Sequence, residues 1–597
     1  MAFLLYLTYV NQLFLRILLA SQAIFIHRQP PPDQLPLFED HTVRVPLETP
    51  SPPPLSPDDT SSITLRGNEG HSNILQRLLK DSRVRSAVEQ SHIFIPKPIL
   101  ERLVKEHVRD ILAYDLRIEP ARVEHYAQII SQHAPRLFAI LVEAKKGGHI
   151  IQILDEHIRD KDLPFIKIPS SEGLPLTLVT KRGAPINTFK TWEPQALESL
   201  EVKQHRALSP VFCRHEHYQL GEKDILPFVP HDAGSNSWPK VAGGFGEVYP
   251  VRIHRDHHQF GEDDLPVAVK RMFYASNFTL EQKAYLDLGP SAHPYIIDLL
   301  FTYEYRNNLH LVFLWAAGTL LEYWQMNPIP VITPSFLTWT IQQMTGIASG
   351  LAYLHEFKDP RTGEPRFGRH GDIKAQNILR FPSWLGPGIL KIADLGLARV
   401  HGKDSRSNVD PKSVRCSPTY SPPDTLRGCR ISRKFDIWSL GAMLLDWTSY
   451  SLLGYRAIAE FSALRLRGSP SVFPEFRQDT FYTANGEMVN PHVVAWVDKL
   501  KRLPHCSQMM HDILDLIMKR MILIVPEMRS SAREITQHLE QILARAQEDQ
   551  EYLSGPNPLP KLPHVPMRTS CAAELRTSQA ARTREPWSTP KSRTWQV

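Results

Sequence analysis

The spacing of apolar residues predicts an all-helical leader domain over residues 72–162. Three segments in this range place apolar residues at three- and four-residue steps, the period of an amphipathic helix. They read SNILQRLLKDSRVRSAV, PKPILERLVKEHVRDILAY and APRLFAILVEAKKGGHIIQIL. Pro98 suits the first turn of the second helix, and Gly147-Gly148 interrupts the third. We expect no catalytic site in this domain and assign residues 163–234 to a connecting segment.

A different pattern begins near residue 235, where a glycine-rich turn separates two alternating apolar runs in KVAGGFGEVYPVRI. Alternation is typical of β-strands, and the glycines mark the turn between them. The next predicted strand, LPVAVKRMFY, carries Lys270. In TLEQKAYLDL, steps of four and three residues place Glu281, Tyr285 and Leu288 on one face of a helix.

Six further segments follow in order. LHLVFLWAAGTL predicts a buried strand that enters a glycine-containing connector, and FLTWTIQQMTGIASGLAYLHE predicts a long amphipathic helix. HGDIKAQNIL then places Asp372 and Asn377 five residues apart, with Lys374 between them. KIADLGLAR supplies Asp394 before a glycine. After the segment SPTYSPPD, KFDIWSLGAMLLDW predicts an apolar helix that carries Asp436.

The order and spacing of these motifs resemble the eukaryotic protein kinase domain of the serine/threonine type over residues 235–545. The whole chain also resembles filamentous-fungal protein kinases with a helical N-terminal leader. The resemblance implies an α+β, bilobal fold, in which a small antiparallel β-sheet lobe with one helix sits beside a larger, mainly helical lobe. It also implies ATP and Mg²⁺ as cofactors and protein serine or threonine residues as substrates.

Phosphoryl transfer needs positioning and charge neutralisation more than covalent chemistry. Lys270 would supply positive charge to the α- and β-phosphates, held by Glu281 on the neighbouring helix. Asp372 would accept or orient the proton of the substrate hydroxyl, and Lys374 would steady the transferred phosphate. The resemblance assigns Mg²⁺ to Asn377 and Asp394. The remaining nucleotide-binding residues that it implies are Val241, Gly243, Gly244, Phe245, Gly246, Val248, Ala268, Phe313, Leu314, Trp315, Ala316 and Leu379.

The resemblance also implies structural roles and departures from the family pattern. Asp424 would pair with Arg529 in the helical lobe, where the family has a glutamate. Asp436 would hold the catalytic loop from below, and Ser417 would contact Asp372 and Lys374. The other departures are Val241 for the first loop glycine, Gly371 for an arginine that receives an activation-loop phosphate, and Leu395 in DLG. None removes a group that touches the transferred phosphate, so we expect an active enzyme.

Composition narrows the class of protein. Of the 597 residues, 42% are hydrophobic and 22% are charged, which excludes disorder from end to end. The formal net charge is only +6 and no basic block occurs, so we expect no nucleic-acid partner. Five cysteines without a CxxC pair favour a reducing compartment, hence a cytoplasmic location. Cys213, His215 and His217 form a CxHxH triplet with no second ligand cluster, which we interpret as a solvated loop.

Three segments fall outside the predicted domains. Residues 1–26 are apolar but include Asn11, Gln12 and Arg16. A membrane anchor, a helix docked on the protein itself and a start codon placed too far upstream all remain open, and a membrane-anchored protein with a cytosolic catalytic domain is the alternative location. Proline runs predict an extended linker over residues 27–71, and composition predicts a disordered tail over residues 546–597.

Two classes of function compete. The first is an active kinase that uses Mg-ATP on protein substrates in signalling. The second is a catalytically inactive kinase-fold scaffold, in which the leader and the linkers recruit partners. The presence of Lys270, Asp372, Asn377 and Asp394 favours the first. A kinase for small molecules is a weaker third hypothesis, because Lys374 and SPTYSPPD resemble a peptide-substrate arrangement. Whether the leader regulates the kinase is left open, as is the oligomeric state.

Overall fold

The computed structural model describes most of the chain from residue 70 to residue 559. The described ranges are 70–89, 91–168, 177–231, 241–242, 246–290, 292–383, 386–402, 417–424, 426–429, 431–467 and 478–559. The apolar segment 1–26, nearly all of the predicted linker and the chain beyond residue 559 lie outside these ranges. Among the helices that are described, none is long and apolar enough to cross a membrane.

The first part of the described chain forms a helical unit, called here the N-terminal unit (residues 70–168 and 177–208). The apolar positions of the predicted leader helices are its buried face, as the inaccessible side chains of Leu75, Leu100 and Phe138 show. Its helices are α1 (His71–Asp81), α2 (Lys97–Asp110), α3 (Pro120–His133), α4 (Pro135–Glu143), α5 (Ile150–Asp155) and α6 (Pro194–Gln204), and its strands are β1 (Val84–Arg85), β2 (Ile93–Phe94), β3 (Ile166–Ile168) and β4 (Thr177–Val179).

Two carboxylates distant in sequence satisfy helix N-termini in this unit. Asp115 accepts hydrogen bonds from the backbone N–H groups of His71 and Ser72 at the start of α1. Asp160 accepts from the N–H groups of Arg136 and Leu137 at the start of α4. The first N–H groups of a helix have no partner within it, so these contacts fix the helices relative to the chain that supplies the caps.

The described part of the predicted connecting segment 163–234 contributes to two hydrophobic cores. Phe165, Trp192 and Leu200 belong to the same hydrophobic core as the leader helices. Farther on, two strands, β5 (His217–Leu220) and β6 (Phe228–Val229), join the sheet of the next lobe. The loop expected for the CxHxH triplet covers residues 213–216, and His217, its last residue, begins β5 and is exposed.

The small lobe is built on one curled sheet. Its strands are β5, β6, β7 (Val241–Ala242), β8 (Gly246–Ile253), β9 (Leu265–Met272), β10 (Leu299–Tyr305) and β11 (Asn308–Leu314). Their order is β5-β10-β11-β9-β8-β6, with β7 also paired to β8; all pairings are antiparallel except β5 with β10. The helix α7 (Ala275–Leu288) packs on the face that carries Leu311 and Phe313.

The opposite face of this sheet is covered by chain that precedes it. Phe212 and Phe228 are wholly buried against Phe301 and Tyr303 of β10, and the rings of Phe212 and Phe301 stack at 4.2 Å. The rest of this core comes from Leu226 and from buried residues of β8, β9, β10 and β11. Stacked aromatic rings of this kind contribute beyond their buried area, so residues 212–228 are an integral part of the small lobe.

The larger lobe is mainly helical, as expected for the α+β fold class. Its helices are α8 (Leu320–Met326), α9 (Pro334–His355), α10 (Lys434–Leu453), α11 (Arg456–Arg467), α12 (Pro491–Lys501), α13 (Gln508–Leu516), α14 (Ala532–Glu548) and α15 (Gln550–Ser554), and its strands are β12 (Phe357–Lys358), β13 (Pro365–Arg369), β14 (Ile378–Phe381), β15 (Ile389–Ile392) and β16 (Arg399–Gly402). The start predicted for the disordered tail is too early, because α14 continues through residue 548 and Tyr552 and Leu553 of α15 are buried.

Candidate active site

Three charged side chains from a strand, a helix and a loop meet between the two lobes. Lys270 of β9 donates to both carboxylate oxygens of Glu281 on α7, at 2.7 and 2.8 Å. The same ammonium group donates to Oδ1 of Asp394 at 3.0 Å. Glu281 is 1% exposed, whereas the Asp394 side chain is 33% exposed. The Asp394 carboxylate therefore remains accessible from the cleft while Glu281 is sealed behind it.

The three charged groups of this triad shift one another's pKa values. Burial alone would lower the pKa of Lys270, but the two carboxylates outweigh it and the pKa is raised. Burial raises the pKa of Glu281, with Asp394 adding to the effect and Lys270 opposing it. For Asp394, burial is outweighed by Lys270, so its pKa lies below the ordinary value. Lys270 is thus held as a cation by its neighbours, and Asp394 is held as an anion.

The backbone around Asp394 is strained in a way that the following residues stabilise. Asp394 has φ 65° and ψ 72°, in the left-handed region that non-glycine residues seldom adopt. Leu395 is wholly buried beneath it. A Cβ atom at Gly396 would lie 3.2 Å from carboxylate oxygens of both Asp394 and Glu281, which explains the small residue at this point.

A second cluster surrounds Asp372. Its Oδ2 accepts from Lys374 at 2.6 Å and from the amide nitrogen of Asn377 at 3.0 Å, and its Oδ1 accepts from the backbone N–H of Ser417 at 3.2 Å. Lys374 also donates to the Ser417 hydroxyl at 2.7 Å. Each carboxylate oxygen therefore has a partner, and the aspartate is fixed between the loop that carries it and the segment around residue 417.

The two clusters are connected through the residue before Asp394. The N–H of Ala393 donates to the carbonyl of Asn377 at 2.9 Å, and Nε2 of His370 lies 3.0 Å from the carbonyl of Ala393. The Asp372 loop and the Asp394 loop consequently hold a fixed relation at the backbone. The structure thus brings together all six residues singled out for chemistry, as two linked groups: Lys270, Glu281 and Asp394, and Asp372, Lys374 and Asn377.

A protein kinase domain family model matches residues 242–539. The chain contains a protein kinase domain. Among its relatives, a G-type lectin S-receptor-like serine/threonine-protein kinase of Arabidopsis thaliana is 30% identical over 210 residues, which cover 34% of this chain and 23% of the relative. Cysteine-rich receptor-like protein kinase 14 of Arabidopsis thaliana is 29% identical over 252 residues, covering 40% of this chain and 35% of the relative.

The relatives differ in the residue that they phosphorylate. The tyrosine-protein kinase FRK of Homo sapiens is 27% identical over 232 residues, covering 38% of this chain and 40% of FRK. The alignments span less than half the length of each of these curated relatives. The protein kinase assignment and the bilobal fold are therefore confirmed, whereas the resemblance to filamentous-fungal kinases stays a prediction.

In the kinase domain, the nucleotide-binding residues expected from the sequence are only partly described. Gly243, Gly244 and Phe245 lie outside the described residues. Val241 pairs with Val248 at the start of the sheet. A Cβ at Gly246 would come 2.2 Å from the Arg271 carbonyl, so a glycine is required at this crossing with β9.

The adenine side of the predicted nucleotide site is built on β9, β11 and the connector after β11. Ala268 pairs with Phe313 across the two strands, and Phe313 is buried with its ring against Tyr285 of α7. The N–H of Trp315 donates to Pro266 at 3.1 Å. On the other side of Ala316, the N–H of Ala317 donates to the backbone carbonyl of Arg380 at 2.8 Å. Leu314 is the last residue of β11, and Leu379 lies on β14.

Two features of the kinase domain bear on the backbone of the loop that carries Asp372. Asp436 accepts from the N–H groups of His370 and Gly371, both at 2.8 Å, as expected for a residue that holds the catalytic loop. Gly371 has φ +86°, where a Cβ is disfavoured, so the missing arginine is replaced by a residue that suits the backbone. Sequence reasoning missed His355, whose Nε2 lies 2.9 Å from Asp436. Its position at the end of the helix before the catalytic loop was the available signal.

Proposed function

We propose that the chain is an active serine/threonine protein kinase that transfers the γ-phosphate of Mg-ATP to protein hydroxyl groups. The observation that carries the proposal is the triad of Lys270, Glu281 and Asp394. Three charged side chains, from β9, α7 and the segment after β15, meet within hydrogen-bonding distance. Burying charges has a large desolvation cost, so such a cluster indicates a functional role. Phosphoryl transfer is a use for it, because the reaction depends on fixed charges around the phosphates.

In this proposal Lys270 is the cation for the α- and β-phosphates, and Glu281 fixes its position. Because the pKa of Lys270 is raised, the ammonium group stays charged at neutral pH. Its contact with Asp394 keeps it at the cleft side of α7. A preformed cation of this kind stabilises developing charge without reorganising during the reaction.

Asp372 is the proposed acceptor for the proton of the substrate hydroxyl. Its hydrogen bonds to Asn377 and Ser417 hold its carboxylate in one orientation, which positions it before the substrate arrives. Lys374 contacts both Asp372 and Ser417, so it is placed to neutralise charge on the phosphate as it moves to the hydroxyl.

The oxygen donors near Asp394 fit a magnesium ion. Within the part of the chain that the structure describes, the side-chain hydrogen bonds of Asn377 use its amide nitrogen, which leaves the amide oxygen for another ligand. Asp394 contributes an accessible carboxylate with a lowered pKa. Mg²⁺ prefers such oxygen ligands together with phosphate oxygens. Asn377 and Asp394 would hold the ion, which supplies charge neutralisation at the β- and γ-phosphates.

In this proposal the adenine base lies against Ala268, Phe313 and Leu379. The connector Leu314–Ala316 would supply the backbone groups that bind the base. The neighbours Trp315 and Ala317 both use their N–H groups within the protein, whereas no hydrogen bond from the N–H of Ala316 occurs within the described ranges. Ala316 is therefore the proposed donor to the nucleotide.

Preference for serine and threonine is supported by the contact between Lys374 and Ser417. Together with Asp372, these side chains make the contact that the resemblance implies for serine/threonine kinases. One relative is a tyrosine kinase, so phosphoamino-acid analysis of the product is the direct measurement. Cytoplasmic location and a role in signalling remain predictions from the sequence.

The test is a Mg²⁺-dependent thermal shift with ATP, followed by incorporation of labelled phosphate into a generic basic protein. The full chain is compared with Asp394→Ala. We expect a shift and incorporation for the natural chain and loss of incorporation in the variant. Identical behaviour of the two proteins in both assays would instead identify the chain as an inactive kinase-fold scaffold. Phosphotyrosine as the only labelled product would overturn the serine/threonine assignment.

A further inference from the structure

The strand β5 lies before the kinase domain in the sequence yet forms an edge of its sheet. It pairs in parallel with β10, with His217 opposite Thr302 and Gln219 opposite Glu304. The backbone on the N-terminal side of β5 continues this attachment, because the backbone N–H of His215 donates to the carbonyl of Leu300 at 2.6 Å. A segment outside the matched family region is thus part of the lobe that carries Lys270.

Thr302 links this strand to α7. It is 2% exposed, and its hydroxyl oxygen lies 2.9 Å from Nδ1 of His217. The same oxygen accepts a hydrogen bond from Nε2 of Gln282 at 2.8 Å. The His217 ring also lies 6.1 Å from that of Phe278, which is one turn before Gln282 on α7. One buried hydroxyl therefore connects the added strand to the residue next to Glu281.

We propose that β5, acting through the chain His217–Thr302–Gln282, positions α7 so that Glu281 can hold Lys270. His217 is then a positioning residue of the kinase, an inference that rests on the proposed function. Glu281 is the anion that fixes Lys270, and a small rotation of α7 would lengthen both of their hydrogen bonds. A short polar side chain on β10 is suited to this coupling because it reaches both neighbours without adding bulk.

The N-terminal unit contacts the small lobe at two places, the segment that leads into β6 and the turn between β10 and β11. The N–H of Ala87 donates to the carbonyl of Phe228 at 2.7 Å, and the Ser86 hydroxyl donates to the carbonyl of Leu226 at 2.8 Å. Glu89 forms a two-point ion pair with Arg306, at 2.9 Å for each bond, in the turn between β10 and β11. Through Arg306, which follows the end of β10 that pairs with β5, movement of the N-terminal unit would act on the strand that carries Thr302.

Point substitutions test this coupling better than deletion of the N-terminal region. Deletion of residues 1–230 would remove Phe212 and Phe228, which are wholly buried in the small lobe, and would expose its sheet. His217 is exposed, so its replacement leaves no cavity. Gln219 is a matched control: it lies two residues along the same strand and face, and its side chain reaches Glu304 at 3.4 Å.

The experiment compares the full chain with His217→Ala, Gln282→Ala, the double variant and Gln219→Ala. The readouts are kcat/KM for phosphate transfer, the melting temperature and amide hydrogen exchange of residues 275–288. We expect His217→Ala and Gln282→Ala each to lower kcat/KM by roughly 3- to 30-fold, the range that a coupling residue produces. The double variant should resemble the more impaired single variant, because both remove one interaction. His217→Gln, which can still bond Thr302, should recover activity.

Hydrogen exchange separates this inference from the proposed function. Faster exchange around Gln282 in His217→Ala than in Gln219→Ala supports the positioning role, whether or not phosphate is transferred. The positioning role is overturned by equal exchange in these two variants. It is also overturned if the fold-losses in kcat/KM of the two single variants simply multiply in the double variant. An inactive natural chain that matches Asp394→Ala would overturn the proposed function alone.

Discussion

Two buried ion clusters in this molecule both pair a cation with carboxylates, but one is closed and the other opens to the cleft. In the larger lobe, Arg529 and Asp424 are both 0% exposed and form two parallel hydrogen bonds at 2.6 and 2.9 Å. Between the lobes, Lys270 forms ion pairs with two carboxylates, Glu281 and Asp394, and the Asp394 side chain remains partly exposed. The first cluster balances one cation with one anion. The second has an anion in excess and opens to the cleft.

The surroundings of the two clusters sharpen the difference. Arg529 also donates to the carbonyls of Leu523, Lys434 and Ile524, at 2.8, 3.0 and 3.3 Å. Its guanidinium is thereby almost fully bonded within the protein. Among the described residues, the Lys270 ammonium group, in contrast, donates hydrogen bonds only to carboxylates. A closed and satisfied pair is suited to holding a fold, whereas an open cluster with excess negative charge is suited to receiving a ligand.

The largest effect that we expect is the loss of activity in Lys270→Met, which removes the cation of the cluster that opens to the cleft. Removing this cation should lower kcat/KM by about 10³-fold or more, the scale at which charge-stabilising groups contribute to phosphoryl transfer. Stability should suffer less than activity, because the pKa of Glu281 is already raised by burial and the freed carboxyl can take up a proton. Phosphate incorporation and thermal unfolding of the same preparation measure the two effects. Unfolding as severe as that of an Arg529 variant would contradict the comparison.

The Arg529→Met variant should show the reverse pattern. It leaves the Asp424 carboxylate buried without its cation, which typically costs about 3–5 kcal/mol of unfolding free energy. The protein that remains folded should retain its phosphate-transfer rate, since neither residue touches the clusters around Lys270 and Asp372. Urea unfolding, with activity normalised to the folded fraction, is the measurement. The double variant Asp424→Leu/Arg529→Met is the control, and it should regain part of the lost stability because no unpaired charge remains.

The kinase motifs were predictable from sequence because each combines an unusual side chain with a fixed local spacing. Asp372 and Asn377 lie on one short loop, so their contact follows from five residues of chain. The pairing of Arg529 with Asp424 came from the resemblance, and the geometry agrees with it. The requirement for glycine at residue 371 could not be predicted, since a positive φ leaves no pattern in a single sequence.

The segment before the kinase domain was predicted poorly for a physical reason. The strands β5 and β6 have only four and two residues, too short for an alternating pattern to emerge. Phe212 and Phe228 lie in short apolar runs, 211–213 and 225–229, within a polar stretch, and their burial depends on strands that come later in the chain. Tertiary contacts, not local propensity, decide the structure of this segment.

The smallest expected effect comes from an ion pair that shares the geometry of Arg529–Asp424 but not its burial. Arg109 and Glu124 also form two parallel hydrogen bonds, at 2.9 and 2.8 Å, on exposed surfaces of α2 and α3. Water and salt screen such charges, so geometry alone should contribute little. We expect Glu124→Gln to leave the melting temperature unchanged at both low and high salt. A fall comparable to that of Arg529→Met would mean that two-point bonding, and not burial, makes the pair in the larger lobe stabilising.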